Sequence, residues 1–279
     1  VIRLGRSDDF TPLDTEALND AVFAPLPHWI AEHHLDAIVS ADGDGDRPLL
    51  MDGNGRFVSG DVLGLLTAYF LKADAVATPV TMNSAVERTA FFHKVLRTRV
   101  GSPFVIAGMN EARRLGYSRI VGFEPNGGTL LGSRCSIGRM NLAALPTRDA
   151  VLPLLAVLAL AVSHRQSVAD LVAGLPMRHM LSDRIEHVPP AVSTALLARL
   201  AEDPAFAEAY FAPVGTLAEL STVDGMRYAF DDGATIHYRG SGNAPELRCY
   251  VEADTRRGAE DLLRWGLATA AHHIRVHRG

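Results

Sequence analysis

The chain has 279 residues, 48% of them hydrophobic and 21% charged, and a formal net charge of -5. That length and apolar content bury substantial cores in two or three domains, while the acidic balance argues against a general binder of nucleic acid or anionic membranes and leaves room for local arginine clusters that hold a small anion. Cys135 and Cys249 stand far apart without metal-type spacing, so two buried, reduced thiols in a cytoplasmic protein are expected.

Residues 14–41 read as a helical stretch and then a strand, Leu35-Asp36-Ala37-Ile38-Val39-Ser40-Ala41. Directly after it comes Asp42-Gly43-Asp44-Gly45-Asp46-Arg47, a loop at the strand end where open α/β sheets gather ligands. Short Asp side chains on a glycine-bearing, sharply turning backbone can aim Asp42, Asp44 and Asp46 at one point, and three hard oxygen donors suit Mg2+ or a similar ion. An EF-hand loop also begins with alternating Asp, but it needs Gly at its sixth and Glu at its twelfth position, where this chain has Arg47 and Gly53.

A hairpin follows, with arms Pro48–Met51 and Arg56–Val58 joined through Asp52-Gly53-Asn54-Gly55. Ser59 or Asp61 caps a helix from Val62 to Leu71. A second α/β unit opens with a strand at Ala75–Val80 and runs through a helix around Ser84–Leu96, a helix over Ser102–Leu115 and a short strand at Arg119–Gly122. The loop Gly122-Phe123-Glu124-Pro125-Asn126-Gly127-Gly128 leaves that strand. Asp149 caps an apolar helix over Ala150–Val162, too short to span a bilayer and expected to be buried. The helix Ser167–Ala173 is broken by Gly174-Leu175-Pro176, and Met177–Pro190 reads as a connection into the last domain.

That domain shows a helix with apolar face Val192, Leu196, Leu197 and Leu200, strands at Gly225–Ala229, Thr235–Tyr238 and Leu247–Ala253, and a C-terminal helix from Arg257 to about Arg275, an α+β pattern. Between its last strands, Arg239, Ser241, Gly242, Asn243 and Arg248 bring guanidinium forks, a hydroxyl and backbone N–H groups close together, the composition of an anion nest. The adjacent pairs His33, His34 and His272, His273 face different sides of a helix and read as surface residues.

Taken in this order, the three loops resemble those of the α-D-phosphohexomutases, the phosphomannomutase and phosphoglucomutase group: Asp42–Arg47 is similar to the metal loop, Gly122–Gly128 to the sugar-recognition loop and Arg239–Arg248 to the phosphate-binding loop. The resemblance spans essentially the whole chain. It implies mixed α/β domains of the phosphohexomutase type followed by an α+β C-terminal domain, divided as 1–73 (part of a second domain), 74–188 (a third) and 189–279 (a fourth). It also implies a Mg2+-dependent isomerase that interconverts hexose 6-phosphate and hexose 1-phosphate through a bisphosphate. Mannose is the expected sugar and glucose the alternative; a non-catalytic sugar-phosphate binder and a structural Ca2+ module are the competing classes. Hexose phosphate is the expected partner, with neither nucleic acid nor membrane.

Under that resemblance Asp42, Asp44 and Asp46 hold the metal, and Arg47 reaches the transferring phosphoryl group or the sugar. Arg99, in Arg97-Thr98-Arg99-Val100-Gly101, gives electrostatic support, since an arginine that stays charged is a poor proton shuttle. Glu124, Asn126 and Gly127 form the loop that accepts from and donates to sugar hydroxyls; Arg239, Ser241, Gly242, Asn243 and Arg248 hold the phosphate that does not react. Four positions depart from the family's commonest residues: Asn126 stands for Ser, Gly128 for His, and Asn243-Ala244 for Thr-Glu. The family's catalytic Ser followed by His and Asn has no counterpart, the nearest stretch, Ser163-His164-Arg165, lacking the Asn. The resemblance therefore implies N-terminal domains of roughly 200 residues ahead of Val1 and no turnover by this stretch alone.

Overall fold

The computed structural model describes residues 1–5, 23–241 and 244–276. It is a mixed α/β chain in two compact units, one of residues 1–82 and 86–176, the other of 83–85 and 177–279.

Among the described residues the first unit holds α1 (Leu26–His33), β1 (Ala37–Ala41), β2 (Pro48–Asp52) and β3 (Phe57–Val58); the start of the helical stretch expected from residue 14, up to residue 22, lies outside the described residues. Phe23, Leu26 and Ile30 pack against Leu49 and Met51, and the strands form an antiparallel sheet in the order β1-β2-β3. The Asp52-Gly53-Asn54-Gly55 turn forms as read, with Asp52 Oδ1 accepting from the N–H groups of Asn54 and Arg56 at 2.9 Å each. One expectation changes here. Because Ala41 pairs with Pro48 and Asp42 N donates to Arg47 O at 3.1 Å, the acidic loop closes a β-hairpin and does not leave the edge of an open parallel sheet.

After α2 (Gly60–Phe70) comes a five-stranded sheet, order β10-β7-β6-β4-β5, built from β4 (Ala75–Pro79), β5 (Lys94–Thr98), β6 (Ile120–Phe123), β7 (Thr129–Leu131) and β10 (Leu145–Asp149). β4 pairs in parallel with β5 and β6, and β7 and β10 run antiparallel. The ends of β4, β5 and β6 therefore share one edge. Ala75, Ala77, Ile120 and Leu130 of the sheet form a core with Val105, Met109 and Ala112 of α4 (Ser102–Arg114). The helix expected over Ser84–Leu96 shrinks to α3 (Ala85–Arg88), and Val95 and Leu96 enter β5. Parallel pairing with β4 overrides local helix preference there, and Arg97 fixes the change by reaching Glu87 Oε1 and Oε2 at 2.8 and 2.7 Å. The short strands β7, β8 (Cys135–Ile137), β9 (Met140–Leu142) and β10 carry too few residues to show a period.

The apolar helix α5 (Val151–His164) is capped by Asp149, whose Oδ1 accepts from the N–H groups of Val151 and Leu152. It is not buried all round. Leu154, Ala156, Val157, Leu160 and Ala161 face inward, whereas Val151, Leu155 and Val162 are exposed. α6 (Val168–Ala173) carries a reciprocal Ser167–Asp170 capping box.

The second unit is an antiparallel sheet, order β11-β15-β14-β13-β12, made of β11 (His179–Glu186), β12 (Leu217–Ser221), β13 (Met226–Phe230), β14 (Thr235–Gly240) and β15 (Glu246–Ala253). Its core joins Leu200 of α7 (Pro190–Glu202), Phe211 of α8 (Pro204–Phe211) and Ile274 of α9 (Arg256–Val276) to Met226, Ile236, Tyr238 and Leu247 of the sheet. The stretch expected to be a mere connection is β11, paired with β15 along all eight residues. Its Asp183, Arg184 and Glu186 are exposed, as suits an edge strand that must resist further pairing, and they blur the apolar alternation. His273, expected at the surface, packs its ring on Tyr210 with centroids 5.0 Å apart. Cys135 and Cys249 are free and buried. Among the described residues no helix is long and apolar enough to cross a membrane.

Candidate active site

Two of the three loops meet in the first unit. Glu124 follows β6 on the edge shared by the ends of β4, β5 and β6, and the Thr78 hydroxyl donates to Phe123 O at 3.0 Å, pinning the strand end before it. Its loop is a tight turn: Gly127 N donates to Glu124 O at 2.9 Å, and Asn126 Oδ1 accepts from Gly128 N at 2.9 Å. Gly127 has φ +83°, a conformation that side-chain-bearing residues rarely adopt, and a Cβ there would lie 2.8 Å from Pro48 Cγ, at the exit of the acidic loop. Gly60, the first residue of α2, presses on Pro125 O and Gly127 N so closely that a Cβ would collide with both.

The Glu124 side chain is only 5% exposed. Ser102 Oγ donates to its Oε2 at 2.7 Å, which sets the carboxylate at the first turn of α4, where the helix dipole favours negative charge. Asp42 is turned inward, its Oδ1 accepting from the N–H groups of Asp46 and Arg47 at 3.2 Å each. Arg47 Nε lies 3.7 Å from Asp42 Oδ2 and 3.9 Å from Asp46 Oδ1. Asp44 is exposed at the loop tip.

A residue that sequence reading missed joins the two loops. Arg148, near the end of β10, places Nε at 2.8 Å and Nη2 at 2.6 Å from Asp46 Oδ2, and Nη1 at 3.7 Å from Glu124 Oε2. Nothing in Pro146-Thr147-Arg148-Asp149 signals this, because it depends on β10 lying at the sheet edge beside β7. Arg99 is exposed just beyond β5, with its guanidinium 4.6 Å over the Phe104 ring.

The three Asp side chains do not converge here: among the described residues no group of three or more His, Cys, Asp or Glu is gathered for a metal ion. Their chemistry nevertheless fits a divalent cation. Asp46 Oδ1 is buried without a hydrogen-bond partner among the described residues, and the donors are all hard carboxylate oxygens.

The third loop lies in the second unit. Gly242 and Asn243 fall outside the described residues. Ser241 N donates to Glu246 O at 3.0 Å, and Arg239 and Arg248 are cross-strand partners on β14 and β15. Arg184 of β11 faces Arg248 in turn, which sets three arginines side by side. Like charges directly opposite repel, and carboxylates offset them. Asp224 Oδ2 sits 2.9 Å from Arg239 Nε, Glu246 Oε1 takes Arg248 Nε at 2.8 Å, and Arg184 Nε lies 3.1 Å from Glu186 and 3.3 Å from Glu246. The bond to Glu246, and then one to Tyr250, holds Arg248 above its ordinary pKa. Beside this row His237 is buried, its Nε2–H donating to Asp224 O over 2.6 Å, and burial pushes its pKa down to about 4. The buried contact to a carbonyl oxygen makes Nε2 the protonated nitrogen of the neutral ring.

Comparison with known proteins agrees with this architecture. A family model described as phosphoglucomutase/phosphomannomutase, alpha/beta/alpha domain III, matches residues 59–179. A phosphomannomutase of Sinorhizobium fredii is 48% identical over 268 residues, covering 96% of this chain and 56% of that protein. In fold, a phosphoglucomutase/phosphomannomutase family protein of Burkholderia thailandensis aligns with a TM-score of 0.65 at 18% identity, over 91% of this chain and 51% of its own. An Aspergillus fumigatus N-acetylphosphoglucosamine mutase, solved with GlcNAc-6P and magnesium, aligns with a TM-score of 0.59 at 18% identity, over 86% and 49%. Residues 59–179 match the phosphoglucomutase/phosphomannomutase family as its domain III, and the chain as a whole is similar to phosphomannomutases. It spans about half the length of the curated relatives it matches.

Proposed function

We propose that the chain carries the cation, sugar and phosphate loops of a phosphomannomutase-type isomerase, which interconverts hexose 6-phosphate and hexose 1-phosphate. The observation that supports this best is the meeting of the acidic loop with the buried Glu124 in one unit, in a chain 48% identical to a phosphomannomutase. Asp42, Asp44 and Asp46 would hold Mg2+, which supplies charge neutralisation at a phosphoryl oxygen. Arg47 is placed beside these carboxylates to meet a phosphoryl oxygen once they are neutralised, and Arg99 adds positive potential at the same sheet edge. Glu124, kept in place by Ser102, accepts from neighbouring sugar hydroxyls. The Asn126 side chain spends its carbonyl on Gly128 N, so its amide NH2 is the group that donates to the sugar. Arg239, Ser241, Gly242, Asn243 and Arg248 anchor the phosphate that stays in place. The buried free thiols fit a cytoplasmic setting.

Titration calorimetry of this chain with mannose 1-phosphate, mannose 6-phosphate and the glucose isomers tests the reading. Binding that strengthens with Mg2+, is absent for unphosphorylated mannose and drops in Glu124→Gln is the expected result. Hexose phosphate affinity that is indifferent to both Mg2+ and Glu124 would sink it. The ratio of mannose to glucose affinities decides the sugar.

A further inference from the structure

Arg148 sits where two anionic loops meet, and its geometry is asymmetric in an informative way. Two of its donors, Nε and Nη2, converge on a single oxygen of Asp46, Oδ2, at 2.8 and 2.6 Å. The other oxygen, Oδ1, is buried and has no hydrogen-bond partner among the described residues. A buried carboxylate oxygen without a donor is costly, and an arginine fork that faced both oxygens would avoid that cost through paired bonds. The fork instead saturates one oxygen and leaves the second open on the side of Asp42 and Arg47. Its third nitrogen, Nη1, lies 3.7 Å from Glu124 Oε2, the oxygen that Ser102 also addresses.

The sugar loop makes room for this arrangement. A Cβ on Gly128 would come 2.7 Å from Arg148 Cδ and 2.9 Å from its Cγ, closer than real carbon contacts allow, so the side chain reaches Asp46 only across a glycine. The stem of Arg148 fills the volume that a side chain at position 128 would occupy.

From these contacts we infer that Arg148 is a positioning residue for the cation. It fixes the Asp46 carboxylate so that Oδ1 is presented to the ion, and it ties that carboxylate to Glu124 on the sugar loop. Partners behind a ligand that set its orientation commonly matter roughly ten- to a hundredfold in metal affinity. The inference rests on the reading of Asp42–Asp46 as a cation loop, and it adds that Arg148 helps the cation to bind and does not compete with it.

Mn2+, an EPR-visible stand-in for Mg2+, is titrated into the 279-residue chain and its variants, and free Mn2+ is read from the hexaaquo signal. The wild type is expected to bind, Arg148→Met to bind roughly tenfold or more weakly, and Arg148→Lys to fall between them, since an ammonium keeps the charge but not the fork. Equal or tighter binding by a folded Arg148→Met, checked by its melting curve, overturns the inference and makes Arg148 a competitor or a bystander. If Arg148→Met does not fold, Gly128→Ala carries the test: displacing the stem should weaken Mn2+ several-fold, and unchanged affinity overturns the inference. A wild type that takes up no Mn2+ removes the cation reading itself, and the inference with it. That outcome is distinct from an arginine variant that binds normally.

Discussion

The two charged clusters are built on opposite electrostatic plans. Around the acidic loop, Asp42, Asp46 and Glu124 face two guanidinium groups, Arg47 and Arg148, and Asp44 at the exposed loop tip brings the carboxylates to four, an imbalance of two negative charges. In the second unit Arg184, Arg239 and Arg248 face Glu186, Asp224 and Glu246, three against three. The first cluster keeps an excess of negative charge that a divalent cation would offset. The second is already neutral, so an anion bound there must draw arginines away from their carboxylates. Fully paired charges hold a hairpin in register, whereas a deficit of countercharge creates affinity for an ion.

The packing beneath the first cluster is most vulnerable at Gly60. Gly60→Val drives a side chain into Pro125 O and Gly127 N, backbone atoms that cannot swing aside, and should lower unfolding free energy in urea by about 3 kcal/mol. A change near zero would mean that α2 and the sugar loop do not meet as described.

Next comes pH in the second unit. His237 is neutral in the fold with a pKa of about 4, against about 6.5 unfolded. Below pH 6.5 the unfolded chain takes up a proton that the native state refuses. Stability is then lost as pH falls from 6.5 to 4, by roughly 3 kcal/mol in all, and the loss levels off below that. Denaturant melts at pH 7 and 4.5 should show this loss in the wild type and not in His237→Asn. Parallel curves for the two proteins would place the ring in water.

Asp42→Asn keeps an oxygen for the N–H groups of Asp46 and Arg47 while removing one charge from the acidic excess. It should weaken Mn2+ binding about tenfold, worth about 1.4 kcal/mol, with little change in melting temperature. Retained affinity would show that the charge deficit is not what attracts the ion.

The smallest effect belongs to the balanced cluster. Asp224→Asn releases Arg239 from its countercharge, and because the pair is partly exposed the gain is modest, roughly threefold in phosphate affinity by 31P NMR titration and screened by salt. No gain, or a loss, would mean that Asp224 orients Arg239 for the anion and does not restrain it.

Much of this organisation was legible in the chain. Strong local chemistry was read correctly: the Asp52–Gly55 turn, the Ser102 start of α4 and the Asp149 cap all depend on neighbours within a few residues. Misreadings fell where a partner strand decides. Val95 and Leu96 join β5 because β4 lies beside them, and β11 exists because β15 accepts it, although its exposed Asp183, Arg184 and Glu186 hide any alternation. Of the residues gathered around Arg148, the sequence offers Asp42, Asp46, Arg47 and Glu124 as candidates. Arg148 and Arg184 were not, because each acquires its meaning from a residue distant in the chain, Asp46 for one and Arg248 for the other.

From the residues alone came the resemblance to the phosphohexomutases, the three candidate loops and their order, since composition and short spacing specify which groups can turn, donate or carry charge. How those groups are balanced depends on the folded chain. Folding turned the acidic loop into a hairpin, brought Asp46 and Glu124 to the same guanidinium, and neutralised the arginine row. Electrostatic energy depends on distance in space, and distance in space is what a linear pattern of residues leaves open until the strands have paired.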